Sequence, residues 1–411
     1  MVGEAEGSGV VKQAAALAPP TSMAAMEGEL GVLSDFLPGE LVRAILLHLP
    51  AKAVLRFRAV SRTWSRLLRD PIFLAEHHFQ QPSAPVVDFS YQSNIPGNQV
   101  RNHLTVQALQ LRTGEIREVI KIAWNSPAYD DNEASRVHGS CDGLLLLKFL
   151  DTFLICNPAT RQRALLPRLQ SNEIAALYAT DGPLRGRDYR LLFHRGPANQ
   201  KVYFIMNLKA LDDPRTRTRC IGRFASSAAL DEVLARGTPP SLTKPPFSLD
   251  DSLYWRPQRY AGDPNPRVLV FNTATDTFFL MGAPVVREDA VLLAVEGKLA
   301  LSASERGSDV IELWLLENGK CPEDKWLLYY RINLPFHEIT DLDGDQDSSA
   351  WMKTEEGEVL MINEASVLQY DSKGRFVRNW EEVWSHDLSP HMYKECVLRV
   401  NICWNMGSDW F

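Results

Sequence analysis

The rhythm of apolar positions changes twice along this chain. Residues 1–30 are Ala, Gly, Glu and Pro with almost no bulky apolar side chain. Such a segment buries too little surface to offset its ordering entropy and is expected to be disordered. From Leu33 to Phe79 the spacing becomes helical. Leu41, Ile45, Leu46 and Leu49 recur at helical intervals, with Pro38 suited to a first turn and Pro50 to a stop. Val54, Phe57 and Arg58 predict a second short helix. Ser61 is placed to cap a third, carrying Trp64, Leu67 and Leu68 and ending before Asp70-Pro71. The expectation for residues 31–80 is three compact helices.

Beyond Pro85 the helical period fades, and residues 85–411 read as all-β. Short apolar runs alternate with Gly, Pro, Asn and Asp turns, as in Leu144–Leu147, Thr152–Cys156, Tyr189–Phe193, Lys201–Met206, Val268–Phe271, Val310–Trp314 and Val367–Tyr370. Many are apolar at successive positions, which predicts strands covered on both faces.

A loose repeat underlies these runs. An apolar strand reaches a polar turn and a second strand returns, as in Leu154–Pro167, Val270–Leu280 and Leu368–Val377, with weaker copies at Leu111–Ile116, Leu208–Ile221 and Leu316–Pro335. The turns at Thr113, Asn157, Asp212, Asn272, Asn318 and Asp371 lie roughly 45 to 60 residues apart, near the spacing of four-stranded propeller blades. Asp142-Gly143, Glu296-Gly297 and Glu356-Gly357 introduce several lead strands. The fold class expected is therefore α+β and multidomain: a small helical module, then an irregular β-propeller of about six blades, with a β-sandwich as the competing closure.

Composition narrows the function. Hydrophobic residues make up 45% and charged residues 23% of the 411, ordinary globular proportions. The net charge of -7 argues against a nucleic-acid binder held by phosphate neutralisation. The longest apolar stretches are strand-length, too short for a membrane span, and Glu4 and Glu6 stand where a secretory signal has positive charge. The six cysteines (Cys141, Cys156, Cys220, Cys321, Cys396, Cys403) contain no CxxC and read as small buried hydrophobes in a reducing, intracellular compartment, nucleus and/or cytoplasm. The segment Leu33–Phe79 is locally basic, with seven Lys/Arg against four Asp/Glu. Most such charge is a solvated helix face, with an electrostatic assist to an acidic partner as the alternative.

The helical segment resembles an F-box. The match is carried by Leu37-Pro38, Glu40-Leu41, Ile45-Leu46, Leu49-Pro50, Leu55-Arg56, Val60-Ser61-Arg62, Trp64, Leu67, Asp70-Pro71 and Phe73. The remainder resembles the kelch-like, F-box-associated β domains of plant F-box proteins, marked by Gly139-Ser-Cys-Asp-Gly143 followed by Asn157-Pro-Ala-Thr160, although the kelch double glycine is missing. The resemblance implies docking on the SKP-class adaptor of a cullin–RING (SCF-type) ubiquitin ligase. It implies partner contacts at Leu37, Pro38, Leu41, Ile45, Leu46, Leu49, Pro50, Leu55, Val60 and Trp64. It also implies a protein target held by the β domain, with no cofactor and no catalytic residue. The residues agree independently: so short a helical segment carries more apolar groups than one small core can hide. For each of those positions the alternative is plain core.

Enzyme-like signals are weak. In Gly139–Gly143 the central residue is Cys141, where a nucleophile elbow needs Ser, and a strand follows where a helix is required. Cys141 and His138 across a turn need not meet. The Asp341–Asp347 run lacks the Gly and Glu positions of a calcium loop, and His77-His78 has no ligand cluster beside it. The tryptophans read as inter-blade packing, with one or two as surface anchors. The loops at Thr238–Pro246 and Asp341 are the exposed candidates for target contact. A propeller enzyme or a non-ubiquitinating scaffold is the alternative function.

Overall fold

The computed structural model of this chain describes residues 38–402, apart from short stretches of which the longest are 128–135, 239–244, 318–324 and 334–349. Four helices come first: α1 (Gly39–Leu47), α2 (Ala51–Phe57), α3 (Arg62–Leu67) and α4 (Pro71–Gln80). Pro38 precedes α1, and the Leu41 N–H donates to its carbonyl at 2.9 Å. Ser61 caps α3 by accepting from the Trp64 N–H at 3.1 Å, as its sequence position predicts.

The described part of the module, from Pro38 on, has four short helices where three compact ones are expected. Asp70-Pro71 does end α3, but the same pair begins α4: Asp70 Oδ1 accepts from the Ile72 N–H at 3.0 Å, and Pro71 occupies the first turn. There its missing N–H costs nothing and its fixed φ already suits the helix.

Among the described residues twenty-four strands (β1–β24) follow from Ser83, arranged as six four-stranded antiparallel sheets. The chain is a six-bladed β-propeller, and the sandwich alternative falls away. Blade 1 has the order β24-β1-β2-β3, built from Leu388–Lys394, Ser83–Ile95, Gln99–Gln110 and Glu115–Pro127. Blade 2 is β4 to β7 (Val137–Cys141, Leu144–Phe149, Thr152–Asn157, Gln162–Leu165), and the other four blades also take their strands in sequence order. The ring is thus closed within blade 1, where late strand β24 pairs with β1 from Ser83↔Lys394 onward. Neighbouring blades meet through their lead strands, β24 with β4, β4 with β8, and β16 with both β12 and β20, which places those strands innermost.

The repeat is explained by this geometry. Each of the six turn positions falls between the third and fourth strands of a blade. The turn chemistry recurs where it is described. Asn272 Oδ1 accepts from the Ala274 and Thr275 N–H groups at 3.0 and 2.9 Å, and Asp371 Oδ1 accepts from Lys373 and Arg375, both at 2.9 Å. Asn157 Oδ1 accepts from Thr160 at 3.2 Å. Asn318 lies outside the described residues.

Two-residue turns link the first and second strands. Asp142-Gly143 has φ of 48° and 80°, and Glu296-Gly297 has 51° and 74°. Two successive positive φ values match the right-handed twist of the flanking strands. Glu356-Gly357 lies outside the described residues.

The core lies between blades. Val86, Leu104 and Val106 of blade 1 pack with Leu145, Leu147 and Cys156 of blade 2. Between blades 3 and 4, Tyr178, Tyr203, Trp255 and Phe271 join helix α5 (Ala228–Arg236) through Leu230 and Leu234. Trp124, Trp314, Trp326 and Trp380 also sit in inter-blade clusters. Trp384 is exposed, and Trp404 and Trp410 lie outside the described residues, as do the Asp341–Asp347 run and 239–244 of the Pro-rich loop. Cys156 and Cys396 are buried as expected, but Cys220 is exposed, a departure caused by its place on β11 (Thr218–Gly222), the outermost strand of blade 3. Cys321 and Cys403 lie outside the described residues. Among the described residues no helix is long and apolar enough to cross a membrane.

Candidate functional site

The helical module has its own small core and leans on the propeller. Val42, Leu46, Leu47, Ala51, Val54, Leu68, Phe73 and Leu74 form one buried cluster, completed by Val397 from beyond β24, with Ala159 of blade 2 packed against it. Polar contacts fix the seat. The Ala51 N–H, one of the unsatisfied donors at the start of α2, donates to Glu395 Oε2 at 2.6 Å. Glu395 in turn pairs with Arg117 of β3 at 2.5 Å. Lys394 Nζ donates to the Phe79 carbonyl at 3.1 Å, and His78 Nε2 lies 3.1 Å from Asp142 Oδ1.

Asp142 is the strongest of these ties. Burial alone raises its carboxyl, but the hydrogen bond to His78 and the Arg187 guanidinium beside it override that and hold it at about 2. His77 bonds the Leu49 carbonyl through Nε2 at 2.8 Å, and burial lowers its pKa. Both members of the His pair are thereby engaged in packing and docking. No group of three or more His, Cys, Asp and Glu able to hold a metal occurs among the described residues.

Four apolar side chains of the described module stay largely uncovered. On α1, Leu41 and Ile45 are each 53% exposed, one turn apart on the same side. Pro38 is exposed next to them. On α4, Ile72 and Phe79 are 57% and 84% exposed, two turns apart. These two escape a reading that takes Asp70-Pro71 only as a helix stop. The helices α1 and α4 pack together, and Arg43 of α1 reaches Glu76 of α4 at 2.5 Å.

The other expected contact residues fall in different places. Pro50 is exposed and starts α2. Leu49, Leu55, Val60 and Trp64 are half-buried, and Trp64 meets Phe57 edge-on at 5.5 Å. Leu46 is 1% exposed and belongs to the module's core, not to its surface. The reason is angular: Val42 and Leu46 share the inward side of α1, while Leu41 and Ile45, one residue earlier, are turned outward. Leu37 lies outside the described residues.

The Gly139–Gly143 motif resolves as the end of β4 plus its two-residue turn, followed by strand β5. His138 packs edge-on to Phe153 at 5.3 Å, and burial lowers its pKa to about 4. Burial pushes the Cys141 thiol well up, the opposite of an activated nucleophile.

A large cleft, about 1100 Å³, opens between α2 and the outer parts of blades 1 and 2. Its walls include Lys52 and Arg56 of α2, Arg117 and Lys121 of β3, and Arg161 and Arg163 at the entry to β7.

Comparison with known proteins agrees with this anatomy. Residues 35–76 match the model of the F-box domain. The Arabidopsis thaliana F-box/LRR-repeat/kelch-repeat protein At1g09650 is 27% identical over 317 residues, covering 74% of this chain and 78% of that one. The F-box protein At3g57590 of the same plant is 23% identical, covering 74% of each. A further Arabidopsis F-box relative, At4g21240, is 24% identical over 94% of this chain and 90% of its own. The chain thus carries an F-box domain ahead of a six-bladed β-propeller and is similar over most of its length to F-box proteins of Arabidopsis thaliana.

Proposed function

We propose that this chain is the target-recognition subunit of an SCF-type cullin–RING ubiquitin ligase. The F-box helices dock on an SKP-class adaptor, the propeller captures a target protein, and the chain supplies no catalytic residue. It acts in the nucleus or cytoplasm. The observation that carries the reading is the outward pair Leu41 and Ile45, left uncovered on a module that is seated on the propeller through other residues. An apolar pair exposed at this level on a small helical unit fits an interface anchor better than a solvated surface.

The chemistry is positional. Holding the target beside a charged conjugating enzyme converts a bimolecular encounter into a near-intramolecular one. A rigid seat serves this, because the distance between captured target and adaptor must not wander. The ties through Asp142, Glu395 and Lys394 supply such a seat.

The deciding experiment is co-purification of the full chain with a plant SKP-class adaptor, followed by ubiquitination with purified ligase components. Wild type is expected to form a stable complex, and Leu41→Asp with Ile45→Asp to form none while keeping its melting temperature. Unchanged adaptor binding by the double variant would refute the docking assignment.

A further inference from the structure

The cleft beside α2 is built for a strand. Arg117, Glu118, Val119, Ile120, Lys121 and Ile122 all line it, six consecutive residues of β3. Side chains along a strand alternate between faces, so a cavity touching every one of them in turn reaches the strand's edge as well as the face turned toward blade 2. That edge is open. β3 is the last strand of blade 1, and no further strand pairs with it among the described residues.

β3 is also unusual among the outer strands. It has 13 residues, whereas β7, β11, β15, β19 and β23 have 4, 5, 6, 8 and 4. A long open edge is a template for any passing strand, and proteins normally blunt it. Here a bulge at Val119, opposite Val106 and Gln107, interrupts flat pairing at the middle.

The cleft's charge selects what may pair. Six cations (Lys52, Arg56, Arg117, Lys121, Arg161, Arg163) line it against two carboxylates, Glu118 and Glu395, in a chain whose net charge is -7. Its floor is apolar: Ala84, Ala108, Ile122 and Leu154 are buried side chains of the core between blades 1 and 2. A bare polyanion has nothing to place on that floor, whereas a peptide strand alternating acidic and apolar residues satisfies floor, rim and backbone edge together.

We propose that this cleft captures an extended acidic peptide segment of a target protein, which adds to β3 as a fifth strand of blade 1. The use made of that capture rests on the receptor reading above, but the binding itself is a property of the chain alone. Six residues of strand span about 20 Å, long enough to carry three outward carboxylates past the cationic rim.

The test uses the full-length chain and a fluorescein-labelled octapeptide of alternating Glu and Val, followed by anisotropy at 50 mM and 200 mM salt. Saturable binding that weakens with salt is expected, and the Lys-Val counterpart should bind at least tenfold more weakly. The Glu-Val peptide N-methylated at every amide keeps its charge but has no N–H left to donate along either edge, and should also lose at least tenfold. Lys121→Glu with Arg161→Asn should weaken binding by tenfold or more, Asn being tolerated at the positive φ of 58° that Arg161 adopts. Adaptor co-purification should not change in that variant.

Absent or charge-indifferent peptide binding overturns the proposal. Equal binding of the N-methylated peptide, with displacement by inorganic tripolyphosphate, makes the cleft a simple anion site and overturns it as well. Loss of adaptor binding in the double variant assigns the cleft to the adaptor. A chain that binds the peptide as expected but no adaptor leaves the cleft standing and the receptor reading refuted.

Discussion

His78 Nε2, on the last helix of the F-box module, lies 3.1 Å from Oδ1 of Asp142, in the two-residue turn that opens blade 2. The other carboxylate oxygen accepts from the Arg187 guanidinium and from the Tyr189 hydroxyl, the latter at 3.3 Å, both on blade 3. One side chain therefore joins the helices to two blades at once.

Asp142→Asn tests that joint. Asn tolerates the positive φ of 48° at this position, so the turn survives and the charge alone is lost. Hydrogen bonds to a charged group contribute about 1.5–3 kcal/mol, so a loss of about 2 kcal/mol in urea unfolding is expected. The link at Gln81-Pro82 should be cleaved faster by protease. A stability unchanged within 0.5 kcal/mol, roughly the scatter of neutral surface substitutions, would show that the apolar seat alone holds the module.

Two leucines on α1 should separate docking from folding. Leu41→Asp changes an exposed side chain and should leave stability within about 0.5 kcal/mol of wild type while costing at least 2 kcal/mol of adaptor affinity, the size of an interface anchor. Leu46→Ala empties a fully buried site and should destabilise by about 2–5 kcal/mol. Thermal melting and adaptor titration of both variants check the contrast.

Two glycines share a backbone conformation but not surroundings. Gly143 and Gly297 have φ of 80° and 74°. A Cβ on Gly297 meets nothing within 4 Å, whereas one on Gly143 lies 2.4 Å from Cys396 Cβ and 2.7 Å from the Lys394 carbonyl oxygen. Gly297→Ala should cost about 1–2 kcal/mol, the left-handed strain alone. Gly143→Ala should cost clearly more and loosen the last strand, which is seen as faster hydrogen exchange in residues 388–397.

Acid should act through a histidine pair. Burial lowers His138 to about 4, and burial together with the nearby His138 lowers His391 to about 3. Their unfolded forms protonate near 6.5, so between that pH and the folded values the unfolded chain binds more protons. The stability linked to them is complete above pH 6.5 and is lost as pH falls toward 4 and 3. For His138 this amounts to about 3 kcal/mol. Asp88 works in the opposite sense: burial raises it to about 6, so its contribution is present at low pH and is lost as pH rises through 6. The measurement is therefore a difference. The stability deficit of His138→Gln with His391→Gln relative to wild type should shrink by about 6 kcal/mol between pH 7 and pH 4, about 3 from each histidine. A deficit independent of pH would remove the histidines as the cause.

Much of the architecture was legible because its signals are local. An Asn or Asp at the head of a turn accepts from backbone groups two to four residues on, so Asn272 and Asp371 mark hairpins wherever they stand. Every such turn joins the third and fourth strands of a blade, which is why the repeat counted six. Closure by β24 was not legible, since pairing of Ser83 with Lys394 leaves no short-range trace. The site divides the same way. Helical spacing groups Leu41, Ile45 and Leu46, but which of them faces water depends on where α4 and Val397 lie. The fourth helix was hidden by a proline that reads equally as an end and a beginning. The cleft was invisible because its cations come from three separate regions of the chain.

Closure at blade 1 has a consequence for biosynthesis. The helices leave the ribosome long before the groups that seat them: Glu395 follows Ala51 by 344 residues, and Val397 comes just after it. Until then Ser83–Val87 lacks its neighbour and α2 lacks the carboxylate at its amino end. A nascent polypeptide that has not yet reached Glu395 thus carries an F-box without a fixed platform, and the orientation of helices to propeller is acquired only once β24 and the residues just after it have emerged.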